Sequence, residues 1–273
     1  MALVVNTNLA ALNAQRHLTR STGSLSSALE RLSSGLRINN AYDDAAGLAI
    51  SDKLGADVRI ASQSIRNAND GISALAIGEK ALGNATDILQ RLAELASESA
   101  TGLVSDVQRS AIQGEFGQLV SELDRISNTT TFNGVQLLSA GTTVTLQVGL
   151  DGTTNSQIAF STVDGSASGI GLSSVSVSTQ AAAQSALGTI TSAIASVAQT
   201  RGTLGAYESR LVTAISNLQV AVENFSAAQS RIRDADVAAE TANLTRASIL
   251  QQAGVAVLAQ ANQQPAVALS LLR

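Results

Sequence analysis

The chain has no cysteine and no tryptophan, and only one proline, one histidine and one methionine in 273 residues. Without cysteine there are no disulfide staples, thiolate zinc sites or cysteine nucleophiles. With His17 as the only histidine, neither a multi-histidine metal site nor an HExxH peptidase motif can be assembled. Aromatics are also scarce. Four Phe and two Tyr are scattered along a chain of net charge -4, which provides neither a basic surface for phosphate nor a base-stacking platform, so nucleic acid is not an expected partner. No apolar run approaches the roughly 18 residues of a membrane span, and no membrane partner is expected. The opening "MALVVNTNLAALNAQ" lacks the basic region and long apolar stretch of a cleavable secretory signal, with Arg16 as its first charge. If the protein leaves a cell, another route is expected.

What is abundant is Ala, Leu, Gln and Ser, with the one proline at position 265, a composition that permits long uninterrupted helices. Ile190, Val197, Leu204, Leu211, Leu218, Phe225 and Ile232 recur at an unbroken spacing of seven, a coiled-coil-like stripe. Companion positions include Leu187, Ile194, Ile215 and Val222, interrupted by Arg201, Glu208 and Gln229. A helix over 181–233 would extend on the order of 80 Å at 1.5 Å per residue and needs partners of similar length. Ile65, Ile72, Leu75, Leu82, Leu89 and Leu92 outline one such partner ending near Gly102; Ile112, Phe116, Leu119, Leu123 and Ile126 outline a second. The expected fold is mainly α, an antiparallel coiled-coil-like bundle with a small β-hairpin region.

The period changes to two in "TVTLQVGL", with Val144, Leu146, Val148 and Leu150 on one face; "DGTTNS" supplies turn residues, and Ile158 and Phe160 resume the alternation. The Gly/Ser-rich stretch that follows reads as a surface connection with short strand character around 175–179. Both ends carry apolar stripes. Val5, Leu9, Leu12, Leu18, Leu25, Leu29, Leu32 and Leu36 mark the first; Leu244, Ile249, Leu250, Val255, Val257, Leu258, Val267, Leu269, Leu271 and Leu272 mark the last. The terminal helices are expected to pair. One pair would still expose much apolar surface, which points to burial between copies of the chain.

"SSGLRINNAYDDAAGLAI", residues 33–50, lies between helix-like stretches. Gly35 suits a left-handed helix stop, and Asp43 or Asp44 can cap the next helix. A structural hinge is the favoured reading over a metal site, because neighbouring residues of a helix do not face one another and no third carboxylate or histidine is near in sequence.

These stretches carry a resemblance. "VVNTNLAALNAQRHL", "LSSGLRINNAYDDAAGLAISDKL", "ELASESATG", "ELDRISNTTTFNG", "LQVGLDG", "LGAYESRLVTAISNL", "SRIRDADVAAETANLTRASILQQAGVAVLAQANQQP" and "LSLLR" closely resemble bacterial flagellin. Together they cover all but about 163–186. The resemblance implies an inner domain from 1–40 with 235–273 lining a hollow tube, and a rod domain over 41–234 that includes the hairpin and Gly/Ser segment of 141–180. Spokes containing Gly35, Arg37, Asp43 and Asp44 would join them, with no large outer domain. It also implies an extracellular helical homopolymer for swimming motility, exported unfolded by the flagellar type III system, with no cofactor. The partners implied are an export chaperone, the filament cap and junction proteins. The terminal stripes, Leu9, Leu12, Leu25, Leu29, Leu32, Leu250, Leu258, Leu269, Leu271 and Leu272, would drive assembly. "QRLAEL" and "IQGEF" place Arg91, Leu95 and Glu115 where family members meet the flagellin-sensing Toll-like receptor, although "AELASES" departs from the commonest wording there.

Other classes fare less well. A hook-filament junction protein shares similar ends but has a different middle, and the intact "LDRISNTTTFNG" and "LQVGLDG" favour flagellin. A soluble coiled-coil adaptor or secretion translocator would remain a small oligomer. An enzyme is not expected: His17 reads as a polar flank residue, and the Gly165, Gly169, Gly171 cluster lacks both GxGxxG spacing and a preceding buried strand.

Overall fold

The computed structural model describes residues 7–139 and 141–270, with side chains through residue 263. Five helices dominate: α1 (Leu9–Ser34), α2 (Ala45–Ser99), α3 (Asp106–Thr129), α4 (Gln180–Arg233) and α5 (Val237–Ser270). Between α3 and α4 lie two small antiparallel ladders, β1 (Thr131–Phe132) with β2 (Val135–Gln136), and β3 (Thr143–Gln147) with β4 (Gln157–Ser161). The chain divides into two compact units, residues up to Ala56 with those from Asn224 on, and Asp57–Glu223. The divisions fall inside α2 and α4, whereas the connectors near 40 and 235 lie between helices.

Unit Asp57–Glu223 has the continuous core. Leu82, Leu89 and Leu92 of α2, Phe116 and Leu123 of α3, and Ile190 and Leu211 of α4 belong to one buried cluster. The spacing of seven accounts for the α4 contribution, since Ile190, Val197, Leu204, Leu211 and Leu218 are all buried; Phe225 and Ile232, beyond the unit, are half-buried. α4 is also long and apolar enough to cross a membrane, but this stripe packs into the cluster. α2 and α4 run antiparallel in this unit: Arg201 pairs with Glu79, Gly78 lies against Leu204, and Gly71 against Leu211. Alanines fill the closest approaches, with Ala61, Ala68, Ala85, Ala183, Ala186 and Ala193 nearly inaccessible, which lets long helices pack closely.

The hairpin docks on α2 where Gly71 leaves room for Leu146. There Asn67 donates to the Gln147 carbonyl at 3.1 Å and Ser64 to the Gly149 carbonyl at 3.1 Å. Its register pairs Leu146 with Ile158 and Val144 with Phe160, and Val148 is buried just past the strand. Leu150 departs from the expected alternation: it lies beyond β3, after Gly149 packs closely against Ser156, and is partly exposed. The stretch 175–179 is not a strand. The backbone of Val177 is used by side chains instead, its N–H donating to Gln113 Oε1 at 2.6 Å and its carbonyl accepting from Ser99 at 2.5 Å, which leaves no ladder to extend.

Candidate assembly interface

Unit one contains α1 and α5 and the connections at their inner ends. α1 starts at Asn8, whose side chain accepts from the Ala11 N–H at 3.0 Å and donates to the Ala261 carbonyl of α5 at 2.7 Å. It stops at Gly35, which takes φ 71 with its N–H bonded to the Arg31 carbonyl at 2.9 Å, the left-handed cap that its lack of a Cβ permits. α5 is capped by Asp236, accepting from Ala238 and Ala239 N–H groups. Between these ends the two connections pair backbone to backbone: the Ala235 N–H donates to the Gly35 carbonyl at 2.9 Å, and the Arg37 N–H to the Arg233 carbonyl at 2.6 Å. The Arg37 guanidinium adds a bond to the Ile232 carbonyl at 2.6 Å.

The paired aspartates divide the labour. Asp44 caps α2, accepting from the Gly47 N–H at 2.8 Å. Asp43 accepts from the N–H groups of Asn39 and Asn40, both at 3.1 Å, and lies 3.7 Å from Arg31. The Asn40 hydrogen bond, helped by those of Asn39 and by Arg31, holds the Asp43 carboxyl below its ordinary value of 3.8. Both carboxylates are thus occupied by N–H donors in turning the chain.

Small residues carry the contact between α1 and α5. Ala14, Ala28, Ala247 and Ala261 are buried, and Gly254 faces Leu18, which allows the helices close approach. The leucines flank this seam. Leu25, Leu32 and Leu258 are half-buried, whereas Leu12, Leu29, Ile249, Val255 and Val257 are about half exposed, Leu250 52% and Leu9 67% exposed. Leu269 is backbone only in α5, and its side chain, like Val5, Leu271 and Leu272, falls outside the described residues. A groove of about 980 Å³ follows the pair, lined among others by Ala14, Arg20, Arg246, Leu250 and Val257. His17 lines it too and is exposed, in the expected flank position. Pairing within one chain therefore leaves apolar side chains of both terminal helices in water.

The structure separates the second set of candidates. Arg91 and Glu115 are exposed and ion-paired at 2.8 Å, and Arg91 also holds Glu94 at 2.8 Å. The hydrogen bond to Glu94, then that to Glu115, raises the Arg91 value further. Leu95, expected on the same surface, is only 2% exposed: it shares the inward face with Leu92, Ala96 and Ser99 and belongs to the core cluster. Helical spacing of three and four from Leu92 carries it inward.

Sequence reasoning missed Arg109, a buried guanidinium at the α2–α3 turn. It donates to the Ser99 carbonyl at 2.9 Å and the Thr101 carbonyl at 2.8 Å, and reaches Asp106 at 3.3 Å. The available signal was the capping box, Ser105 with Gln108 three residues on, which marks the turn that Arg109 closes.

Comparison with known proteins bears on this arrangement directly. Residues 5–143 match the family model for the bacterial flagellin N-terminal helical region, and residues 187–272 that for the C-terminal helical region. A flagellin of Halalkalibacterium halodurans is 44% identical over 272 residues, covering 99% of this chain and 100% of the relative. A flagellin of Xenorhabdus nematophila is 45% identical over 317 residues, covering all of both chains. The flagellar filament 33 kDa core protein of Treponema phagedenis is 39% identical over 286 residues, covering 99% and 100%. The crystal structure of Bacillus cereus flagellin matches with a TM-score of 0.51 at 24% identity, over 56% of this chain and 88% of that one, a likeness of fold. With two family models spanning its helical ends and relatives aligned along their full length, the chain belongs to the bacterial flagellins, the subunits of the flagellar filament.

Proposed function

We propose that this chain polymerises by burying the outer faces of α1 and α5 against those of other copies, forming the inner wall of an extracellular filament used for swimming. The observation that carries this reading is the exposure of Leu9, Leu12, Leu29, Ile249, Leu250, Val255 and Val257 on a helix pair whose own seam is made of alanine and glycine. Full burial of such a side chain from a fully exposed start is worth roughly 1.5–3 kcal/mol; these are about half exposed, so the drive comes from many of them together along both helices. The closed turn 35–44, in which Gly35, Arg37, Asp43 and Asp44 all make hydrogen bonds, acts as the spoke beside that wall. We take the domain scheme 1–40 with 235–273 and 41–234 as the functional division in the assembled state.

Export through the flagellar type III channel as an unfolded chain, with a chaperone, cap and junction proteins as partners, follows from this role, and a chain without cysteine cannot crosslink on the way. No catalytic task is assigned. Receptor recognition rests on the exposed Arg91–Glu115 pair, with Leu95 contributing by packing the helix beneath it. The test is seeded growth. Purified subunit added to short fragments of its own filament should sediment as long filaments visible by electron microscopy; a persistent small oligomer would favour an adaptor.

A further inference from the structure

Asn133 is the one asparagine of the chain that is followed by glycine. With Gly134 it forms the tip of the β1–β2 ladder, at φ 49 and φ 80, the left-handed pair of a two-residue turn. Both residues are exposed, as are Val135 and Gln136 after them. The ladder has two residue pairs, Thr131 with Gln136 and Phe132 with Val135, and so short a hairpin opens at little cost. The Asn133 side-chain amide makes no hydrogen bond among the described residues, whereas Asn8, Asn40, Asn67 and Asn69 all donate theirs. Sites of related chemistry are restrained. Asp70 before Gly71 lies inside α2, and Asn128 before Thr129 inside α3, where the following N–H is held in the helical ladder. Asp151, before Gly152, is engaged by the hydroxyls of Thr153 and Ser156. Asp164, before Gly165, is engaged by Ser166, and the Gly165 N–H is donated to the Leu138 carbonyl.

We propose that Asn133 is a site of spontaneous deamidation, at which the chain modifies itself with water as the only co-reactant. The Gly134 backbone nitrogen gives up its proton to solvent base and attacks Asn133 Cγ. A C–N bond forms, the Cγ–Nδ2 bond breaks, and the side-chain nitrogen takes up a proton and leaves as ammonia. The resulting five-membered succinimide joins Asn133 Cγ and the Asn133 backbone carbonyl carbon through the Gly134 nitrogen. Water then adds at one of those two carbons, and the bond from that carbon to nitrogen breaks. Addition at Cγ leaves aspartate; addition at the backbone carbon leaves isoaspartate, whose main chain runs through Cβ and Cγ. One water enters, one ammonia departs, and nothing is oxidised or reduced. Gly134 favours the first step because it has no Cβ to crowd the approach, and no other group lies within 4 Å of where one would sit. Either product adds a negative charge. Isoaspartate also adds a backbone carbon to a turn whose two central residues fix the register. The β1–β2 ladder then opens, while the Leu137 N–H on the Thr130 carbonyl and Ser127 on the Leu138 carbonyl hold the chain on either side.

Full-length subunit held for days in mildly alkaline buffer, then digested for mass mapping, should show the peptide containing Asn133 one mass unit heavier and split into two species of equal mass, aspartate and isoaspartate. Asn155, exposed and followed by Ser156 but set in the short 3-10 helix Thr154–Ser156, should convert at least tenfold more slowly. Isoaspartyl methyltransferase with labelled S-adenosylmethionine should load methyl groups onto the aged chain and not onto aged Asn133→Gly. That variant keeps the turn, because glycine takes positive φ freely, and should melt as the unmodified chain does. An Asn133 that stays intact in the folded subunit while the same chain in denaturant converts would overturn the proposal, since the turn would then shield the site. So would conversion at Asn155 as fast as at Asn133, or methyl loading that Asn133→Gly leaves unchanged.

Discussion

The two units bury their leucines differently. In Asp57–Glu223, Leu82, Leu89, Leu92 and Leu211 are almost wholly removed from water by three helices and a hairpin. In the unit containing α1 and α5, alanines are buried and leucines are left at the flanks. Both helix sets have apolar side chains at helical spacing, so the stripe itself does not say whether the chain can cover it. What decides is the number of neighbours. Three packed helices can enclose a stripe on one of them, whereas two helices in contact shield only the residues at the line of contact, here Ala14, Ala28, Ala247 and Ala261.

The same truncation should therefore have opposite consequences in the two units. Leu89→Ala removes a fully buried side chain and should cost the free subunit about 2–5 kcal/mol, seen as a lower midpoint in denaturant. Leu250→Ala should change that midpoint by no more than about 0.5 kcal/mol yet impair seeded growth. A comparable loss of subunit stability from both would remove the distinction drawn here. Next in size is Arg109→Ala, which leaves the Ser99 and Thr101 carbonyls without their donor; about 2–3 kcal/mol should be lost. Arg109→Lys should recover only part of it, since an ammonium lacks the planar fork that reaches both carbonyls. Equal stability of the lysine variant and the unmodified chain, by the same denaturation, would contradict that geometry.

Smaller effects belong to the spoke. Gly35→Ala places a Cβ on a residue at φ 71 and should destabilise by about 1 kcal/mol, read as a lower midpoint in denaturant. The Asp43 latch should show itself in acid. Its folded value lies below 3.8, so its contribution is fully present above about pH 4 and is lost as pH falls through that lowered value. Asp43→Asn should flatten this part of the acid profile, measured as the denaturation midpoint between pH 5 and 2; an unchanged profile would show that Asp43 does not contribute.

Much of this was legible in the residues. The spacing of seven predicts a helix over 181–233, and α4 spans Gln180–Arg233; the Ser-Ser-Gly stop predicts a left-handed cap, and Gly35 takes it. The sequence offers either Asp43 or Asp44 as the cap of α2, and spacing does not choose between neighbours; the turn geometry assigns the Gly47 donor to Asp44 and the Asn39 and Asn40 donors to Asp43. Val175 and Val177 have strand-like alternation, but Gln113 and Ser99 capture the backbone there, a long-range competition that local pattern does not register. Leu95 reads as exposed by position in a motif and is buried by its place on the helix. The β1–β2 ladder turns at Asn133 and Gly134, both at positive φ; the Asn-Gly pair between Phe132 and Val135 is its one local signal, since strands of two residues carry no alternation.

Hydrogen exchange followed by mass spectrometry, on free subunit and on filament, tests the central comparison most directly. Peptides from α1 and from α5 should exchange quickly in the free subunit and slow by at least tenfold in the filament, while those around Leu89 and Leu211 remain slow in both. Terminal helices as protected in the free subunit as in the filament would contradict the account.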